Sequence, residues 1–268
     1  MSVFVIGEAG SSWAFGDRLA NALRIINAVA NCGASACKFQ WCSDAAAMAK
    51  RRNDPVVANY DILCWPREWM PIMKAECEKR SIEWMCTVFL AKDIPVVAPL
   101  VKRFKIASAE SSDEEFVAAH GYYAKPIIVS YAFGAESLRP MAYQYSLHCV
   151  CSYPAPIEQL NLSRIRENAE GRDFHGLSDH TTSVLTGALC VAAGGTICEK
   201  HVRLHDTPKD NPDYGHSLIC NMNDCVMDDM SGMFRFYVSA IRHAEKAMGT
   251  GENVMQECEK PFESRRVK

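Results

Sequence analysis

No uninterrupted apolar stretch in this 268-residue chain approaches the length a membrane-spanning helix needs, and the opening MSVFVIGEAG has no basic segment or cleavage site around its apolar run. Those absences predict a chain without a membrane span or secretory leader, and hence a cytoplasmic protein. Neither sign of charge dominates: 29 Lys and Arg stand against 32 Asp and Glu, for a net charge of -3, and no basic stretch is interleaved with aromatics. Neither a nucleic-acid partner nor an anionic membrane is expected. There is no CxxC pair, and the 13 cysteines are odd in number. Cys37, Cys86, Cys149, Cys190 and Cys198 lie inside apolar runs, so they read as small core residues in a reducing compartment rather than as a zinc site or disulfide framework. Internal repeats and low-complexity segments are also missing.

What is present is an ordinary globular composition, 49% hydrophobic and 23% charged, at a length that suits one large domain. Eight strand patterns can be counted: Val3 to Gly7, Ala36 to Cys42, Glu83 to Phe89, Phe104 to Ser108, Pro126 to Ser130, Leu147 to Tyr153, Gly176 to Asp179 and Thr196 to Val202. Helical periodicity is clearest over Asp17 to Ala30, Glu68 to Lys79, Asn161 to Ala169 with Asn161 as N-cap, and Ser231 to Met248 before Gly249. Ser43 to Pro66 reads as an inserted loop, and Pro140 leaves little room for a helix between Gly134 and Ser146. Eight alternations predict an α/β protein, a (β/α)8 TIM barrel over residues 1–256, with 257–268 a charged tail or linker remnant.

The most informative stretch is GLSDHTTSVLTGALCVAAGGTICEKHV, residues 176–202. Alternation along an extended chain puts Ser178 with His180 on one face, and Glu199 with His201, while Lys200 points away. Between them, Thr181 to Ala193 is apolar and Ala-rich, opens on Thr-Thr as an N-cap and stops at Gly194-Gly195. Strand, helix, strand follows, and a crossover of this length joins parallel strands, so both histidines reach the C-terminal edge of one sheet. Two neutral imidazoles there suit a divalent metal with open positions. The other reading is that each histidine is a hydrogen-bonded strand-end residue.

Glu8, Lys38, Gln40, Thr87, Lys105, Ser108, Glu110, Ser130, Tyr153, Ser178, His180, Glu199 and His201 all fall at or just past strand C-termini, where barrel active sites are built. Lys38 and Lys105 interrupt apolar strands. Each alone could snorkel or pair with Glu8 or Glu110. Together, with hydroxyls from Thr87, Ser108, Ser130 and Ser178 close by, they predict a pocket for a phosphorylated acid.

The ordered segments Glu8-Ala9-Gly10, Cys37 to Gln40, Lys105 to Glu110, Lys125 to Ser130, Leu147 to Val150, Ser152-Tyr153-Pro154, Gly176 to Thr181, Glu199-Lys200-His201 and Pro212-Asp213 span nearly the whole chain. In them the sequence resembles the bacterial sialic acid synthase (N-acetylneuraminate synthase) family, phosphoenolpyruvate-condensing (β/α)8 barrels. The resemblance implies that His180 and His201 bind a divalent metal, manganese or magnesium. It implies that Lys38, Thr87, Lys105, Ser108, Ser130 and Ser178 hold phosphoenolpyruvate, that Glu110, Tyr153 and Asp213 face an N-acetylmannosamine-like sugar, and that Glu8 and Glu199 handle protons or orient water. A homodimer is a further implication.

The sequence also departs from the family. Ser11 to Gly16 stands where an Asn-His-Asn-Gly segment is usual. Tyr131 follows Ser130 and is expected to put a ring near the phosphate pocket, and Cys151 replaces a better hydrogen-bonding residue. The C-terminal antifreeze-like domain of the family, which supplies an arginine to the acceptor sugar across a dimer, is expected to be missing or to come from a separate polypeptide. Two alternatives stay open: a related synthase acting on a smaller aldose, and a catalytically weak barrel serving as a binding or regulatory subunit.

Overall fold

The structure, a computed structural model, describes residues 2–134, 144–165, 167–168, 171–172, 174–220, 233–249, 251–252 and 255–265. Eight parallel strands make the barrel: β1 Phe4–Gly10, β2 Ala36–Trp41, β3 Glu83–Val88, β4 Phe104–Ile106, β5 Ile127–Tyr131, β6 Gln144–Cys149, β7 Gly176–Asp179 and β8 Ile197–Arg203. Their hydrogen-bonded order is β3-β2-β1-β8-β7-β6-β5-β4, and β3 packs against β4 where the path meets itself. The predicted (β/α)8 barrel is therefore the observed one. A short strand, Leu218–Ile219, adds to β8 outside the ring.

The register sets the layers. Pairing of Ile6 with Ala36, Glu199 with Ser178 and His201 with Glu8 puts every second residue of each strand into the lumen. At the N-terminal end, Phe4, Ile6, Ala36, Met85, Ile128, Leu147 and Ile197 fill the lumen with apolar side chains, so the barrel has a dry floor. One layer up, the inward residues turn polar. The outward residues of the same strands pack against the helices, the larger of the hydrophobic clusters.

The helices are α1 Arg18–Asn31, α2 Ala45–Arg51, α3 Trp69–Lys79, α4 Ile94–Val97, α5 Glu114–Gly121, α6 Thr186–Ala192 and α7 Phe234–Met248. In α1 the Asp17 side chain caps Ala20 N, and Leu19, Leu23, Ile26 and Val29 lie on or against the core. In α7, Phe234, Tyr237, Val238 and Ile241 are buried, and Gly249 ends the helix at φ +58.

Several expectations are corrected. Ser43 to Pro66 is not a plain loop, because Asp44 caps the Ala-rich α2 through Ala47 N at 2.9 Å and Val57–Leu63 forms 3-10 turns. The helix over Asn161 to Ala169 does not form. Asn161 adopts φ +46, Leu162–Ile165 is a 3-10 segment, and Glu167–Asn168 pairs with Gly171–Arg172 as a two-residue ribbon. After Ile165 the sequence has no large apolar residue until Phe174, so a helix there would have nothing to bury. Helix α6 starts at Thr186 rather than Thr181, since Thr181 is held by Asp179 instead of capping. Strand β6 is shifted toward the N-terminus of the predicted Leu147 to Tyr153. The segment 135–143, where a shortened helix was expected, lies outside the described residues, as do 231–232 at the predicted start of α7. Residues Glu257–Arg265, within the predicted charged tail or linker remnant, run as 3-10 turns, which leaves that expectation untested.

Candidate active site

The polar layer above the floor is a linked set of charges. Lys38 Nζ lies 2.7 Å from Glu8 Oε2, 3.1 Å from Glu199 Oε1 and 3.1 Å from Thr87 Oγ1. Lys105 Nζ lies 3.1 Å from Glu199 Oε2 and donates to Ser130 Oγ at 2.8 Å, while Gln40 Nε2 donates to Glu8 Oε1 at 2.6 Å. All four charged side chains are buried. Burying an ion costs several kcal/mol unless partners replace water, and here each charge has at least one opposite charge and a further polar contact.

The partners decide which carboxylate carries the proton. Burial pushes Glu199 up, but Lys105 and Lys38 together outweigh it and hold the carboxyl at about 2. Glu8 is pushed up to about 7 by burial, against Lys38, with Glu199 as a repelling neighbour. Burial also works against the charge of Lys38, but Glu199 and Glu8 win and keep the ammonium above its ordinary value. For Lys105 burial wins and lowers it. The lumen thus holds one firmly ionised carboxylate, Glu199, and one that titrates near neutrality, Glu8.

Above this layer stands a rim of rings. Tyr153 packs on His180 at 4.2 Å between centroids and on His216 at 4.9 Å, and His201 lies 5.4 Å from His180 and 4.6 Å from His216. Burial lowers His180 to about 4 and His201 well below its usual value, so both imidazoles are neutral at pH 7. His180 Nδ1 meets the Val150 carbonyl at 2.8 Å. A carbonyl only accepts, so Nδ1 carries the proton and Nε2 presents its lone pair.

Asp213 Oδ1 lies 3.5 Å from His201 Nδ1 and 3.2 Å from His216 Nε2. Burial would raise Asp213, but His216, His201 and Ser11 outweigh it and hold the carboxyl well below the usual range. Both ring nitrogens are nevertheless buried and lack a partner in hydrogen-bonding geometry. Two imidazole nitrogens turned on one carboxylate fit a divalent cation, and His201, Asp213 and His216 have ligand atoms all within 4.8 Å of one another.

The rim is held from outside the barrel. Asp179, between Ser178 and His180, faces outward and accepts from Thr181 N and Oγ1 at 2.9 and 2.8 Å and pairs with Lys200 Nζ at 3.1 Å. Lys200 does point away from Glu199 and His201, as alternation predicts. It also holds the loop after His180 through Thr181 Oγ1 at 3.1 Å.

The structure therefore brings together Glu8, Lys38, Thr87, Lys105, Ser130 and Glu199 in one layer, and His180, His201, Tyr153 and Asp213 in the next. Ser178 lies beside Glu199 in the ladder, and Ser108 starts a 3-10 turn after β4. Glu110 is buried, but its ion partner is Arg52 from the end of α2 and not Lys105. Tyr131 corrects an expectation. Since Ser130 points inward to Lys105, Tyr131 points outward, where Gln144 Nε2 donates to its hydroxyl at 2.6 Å and its ring faces Phe174. Its ring stays out of the layer around Lys105. His216, Arg52 and Ser11 were not foreseen. His216 lies in a loop with no strand or helix period, and its one signal is the short spacing from Asp213.

A barrel whose lumen carries buried lysines and carboxylates below a rim of neutral imidazoles is built as an enzyme site rather than as a scaffold. Comparison with known proteins identifies it more closely. A family model described as the NeuB family matches residues 25–253, and the chain belongs to that family. It is 29% identical over 278 aligned residues to the pseudaminic acid synthase of Campylobacter jejuni subsp. jejuni serotype O:23/36, covering 93% of this chain and 76% of that protein. It is 27% identical to the N,N'-diacetyllegionaminic acid synthase of Legionella pneumophila, covering 98% and 78%. The crystal structure of N-acetylneuraminic acid (sialic acid) synthetase from Leptospira borgpetersenii superposes with a TM-score of 0.80 at 24% identity over 99% of this chain and 92% of that one. Among the described residues no helix is long and apolar enough to cross a membrane.

Proposed function

We propose that this chain condenses phosphoenolpyruvate with the open-chain aldehyde of an N-acyl sugar of the N-acetylmannosamine type, releasing phosphate and a sialic-acid-like 2-keto-3-deoxy sugar acid. The observation that carries the reading is the meeting of Lys38 and Lys105 on Glu199 in the centre of the lumen, with the Thr87 and Ser130 hydroxyls alongside. Membership of the NeuB family and the names of its relatives support it.

On this reading Lys38 and Lys105 turn part of their charge from Glu199 to the substrate's carboxylate and phosphate. Thr87, Ser108, Ser130 and Ser178 donate hydroxyl hydrogen bonds. The dry floor makes each of these contacts stronger than in water and fixes the enol carbon toward the rim. Glu110, Tyr153 and Asp213 face the sugar. C3 of phosphoenolpyruvate attacks the aldehyde carbon, whose oxygen takes up a proton and becomes a hydroxyl, water adds at the resulting cationic C2 and loses a proton, and the C2–O bond to phosphate then breaks to release phosphate and leave the 2-keto group. Glu8, able to exchange a proton near pH 7, takes one from that water, and Glu199 keeps both lysines charged and in place. A divalent ion such as manganese or magnesium, held by His180 and His201, would supply Lewis-acid polarisation of the aldehyde oxygen. Tyr153 packs on the His180 ring and limits its rotation.

The test is phosphate release from phosphoenolpyruvate and manganese on adding N-acetylmannosamine and a panel of other aldoses. Sugar-dependent release supports the reading. Release that is absent with every aldose, or equally fast without one, contradicts it.

A further inference from the structure

We propose that His216 is itself a ligand of the divalent ion, in one set with His201 and Asp213, and that this set selects a first-row transition ion over magnesium. The proposal rests on the metal-dependent reading above, adds His216 as a ligand, and gives Asp213 a bond to the ion in place of the sugar contact assigned to it there. His216 is 3% exposed and His201 7%, and the nitrogens they turn toward Asp213 are buried without a hydrogen bond. His216 Nε2 is 3.2 Å and His201 Nδ1 3.5 Å from the same Asp213 oxygen, so one carboxylate oxygen faces two buried ring nitrogens at once, an arrangement that a shared cation satisfies. The three ligand atoms lie within 4.8 Å of one another. An ion with bonds of about 2.1 Å spans donors up to about 4.2 Å apart, so the set closes on it with shifts below an ångström.

The carboxylate is aimed by its own supports. Ser11 Oγ donates to Asp213 Oδ2 at 2.6 Å, and Ser11 N binds the same oxygen, which leaves Oδ1 for the two rings. Asn211 ties both sides, with Nδ2 donating to Ser11 O at 3.0 Å and Oδ1 accepting from Asp213 N at 2.9 Å. Gly10 has φ +50, and a Cβ there would come within 2.3 Å of Asp213 Oδ2, so the backbone of β1 is shaped to admit this carboxylate. The segment beginning at Ser11, where the chain departs from its family's pattern, thus has a structural purpose: it fixes an oxygen against two imidazoles. Two imidazoles and one carboxylate leave several coordination positions open and suit manganese, iron, cobalt or zinc, whereas magnesium prefers oxygen donors.

The test uses the full chain and manganese as the probe. By titration calorimetry the wild type binds one ion, His216→Ala binds it at least about tenfold more weakly, and a hundredfold excess of magnesium fails to displace it. A second measurement needs no variant: in crystals soaked with manganese the anomalous peak lies at bonding distance, about 2 Å, from His216 Nε2. A peak bonded to His180 and His201 but more than about 3 Å from His216, or unchanged affinity in His216→Ala, overturns this proposal and leaves the proposed reaction standing. Displacement by equimolar magnesium overturns the selectivity. A wild type that binds no manganese overturns the metal-dependent reading itself, and this proposal with it.

Discussion

Lys105 on β4 and Glu199 on β8 stand on opposite walls of the barrel, four strands apart around the ring, and meet across the lumen at 3.1 Å. That contact closes a path from Gln40 through Glu8, Lys38 and Glu199 to Lys105 and Ser130. An anionic substrate entering from the rim meets lysines already desolvated and already oriented.

Lys105→Met should therefore weaken phosphoenolpyruvate binding by well over tenfold, since removing one partner of a desolvated charge pair costs about 2–5 kcal/mol. Titration calorimetry on a variant whose circular dichroism matches the wild type reads this directly. Equal affinities would refute the pocket.

Glu8 ties stability to pH with a defined sign. Its folded value, about 7, lies above the ordinary 4.5, so its contribution is fully present below pH 4.5 and is lost as pH rises through 7. Glu8→Gln removes that dependence. The stability of the wild type relative to the variant should fall between pH 4.5 and 7.5, by an amount on the order of 3 kcal/mol, in urea titrations. Parallel pH profiles for the two proteins would show that Glu8 does not titrate in this range. Glu199, held at about 2, works in the opposite direction: its contribution is present above pH 4.5 and is lost on acidification toward 2.

Phosphoenolpyruvate brings negative charge beside Glu8 and should raise it further. Binding at pH 7.5 should then take up a proton, seen as a calorimetric enthalpy that varies with the ionisation enthalpy of the buffer. In Glu8→Gln the variation should shrink. Uptake that is the same in both proteins would assign the proton elsewhere.

Manganese should raise the melting temperature, because an ion bound only by the folded state stabilises it, and His180→Ala/His201→Ala should lose that shift. A full shift in the double variant would move the ion away from the rim.

Gly10→Ala forces a side chain onto Asp213 Oδ2 at a backbone angle that disfavours it. A loss of about 1–3 kcal/mol in stability and weaker manganese binding are expected together. Wild-type manganese affinity in this variant would separate Gly10 from the placement of Asp213.

The barrel was legible because its signals are local. Eight alternating runs marked the strands, and parity alone placed Lys200 outside and Glu199 and His201 inside, as observed. Where periodicity stopped, reading stopped too. Tyr131 was misplaced because the pattern of the resemblance was followed instead of the strand's alternation. The helix at Asn161 was overread because its polar residues fit a helix while no apolar face followed. His216 and Arg52 were missed because they reach the site from a loop and from the end of α2, and only the folded chain sets those distances. Lys105 was considered against Glu110, five residues on. Its partner, Glu199, stands 94 residues away in sequence, and such pairings arise from barrel closure alone.

Carbon–carbon bond formation can be followed with phosphoenolpyruvate labelled with carbon-13 at C3, by NMR and mass spectrometry, with the full chain, manganese and N-acetylmannosamine. The expected product is a 2-keto-3-deoxy sugar acid that keeps all three phosphoenolpyruvate carbons, with one phosphate released per product. Label recovered only as phosphoenolpyruvate or pyruvate, with this sugar and with every aldose tried, would contradict it.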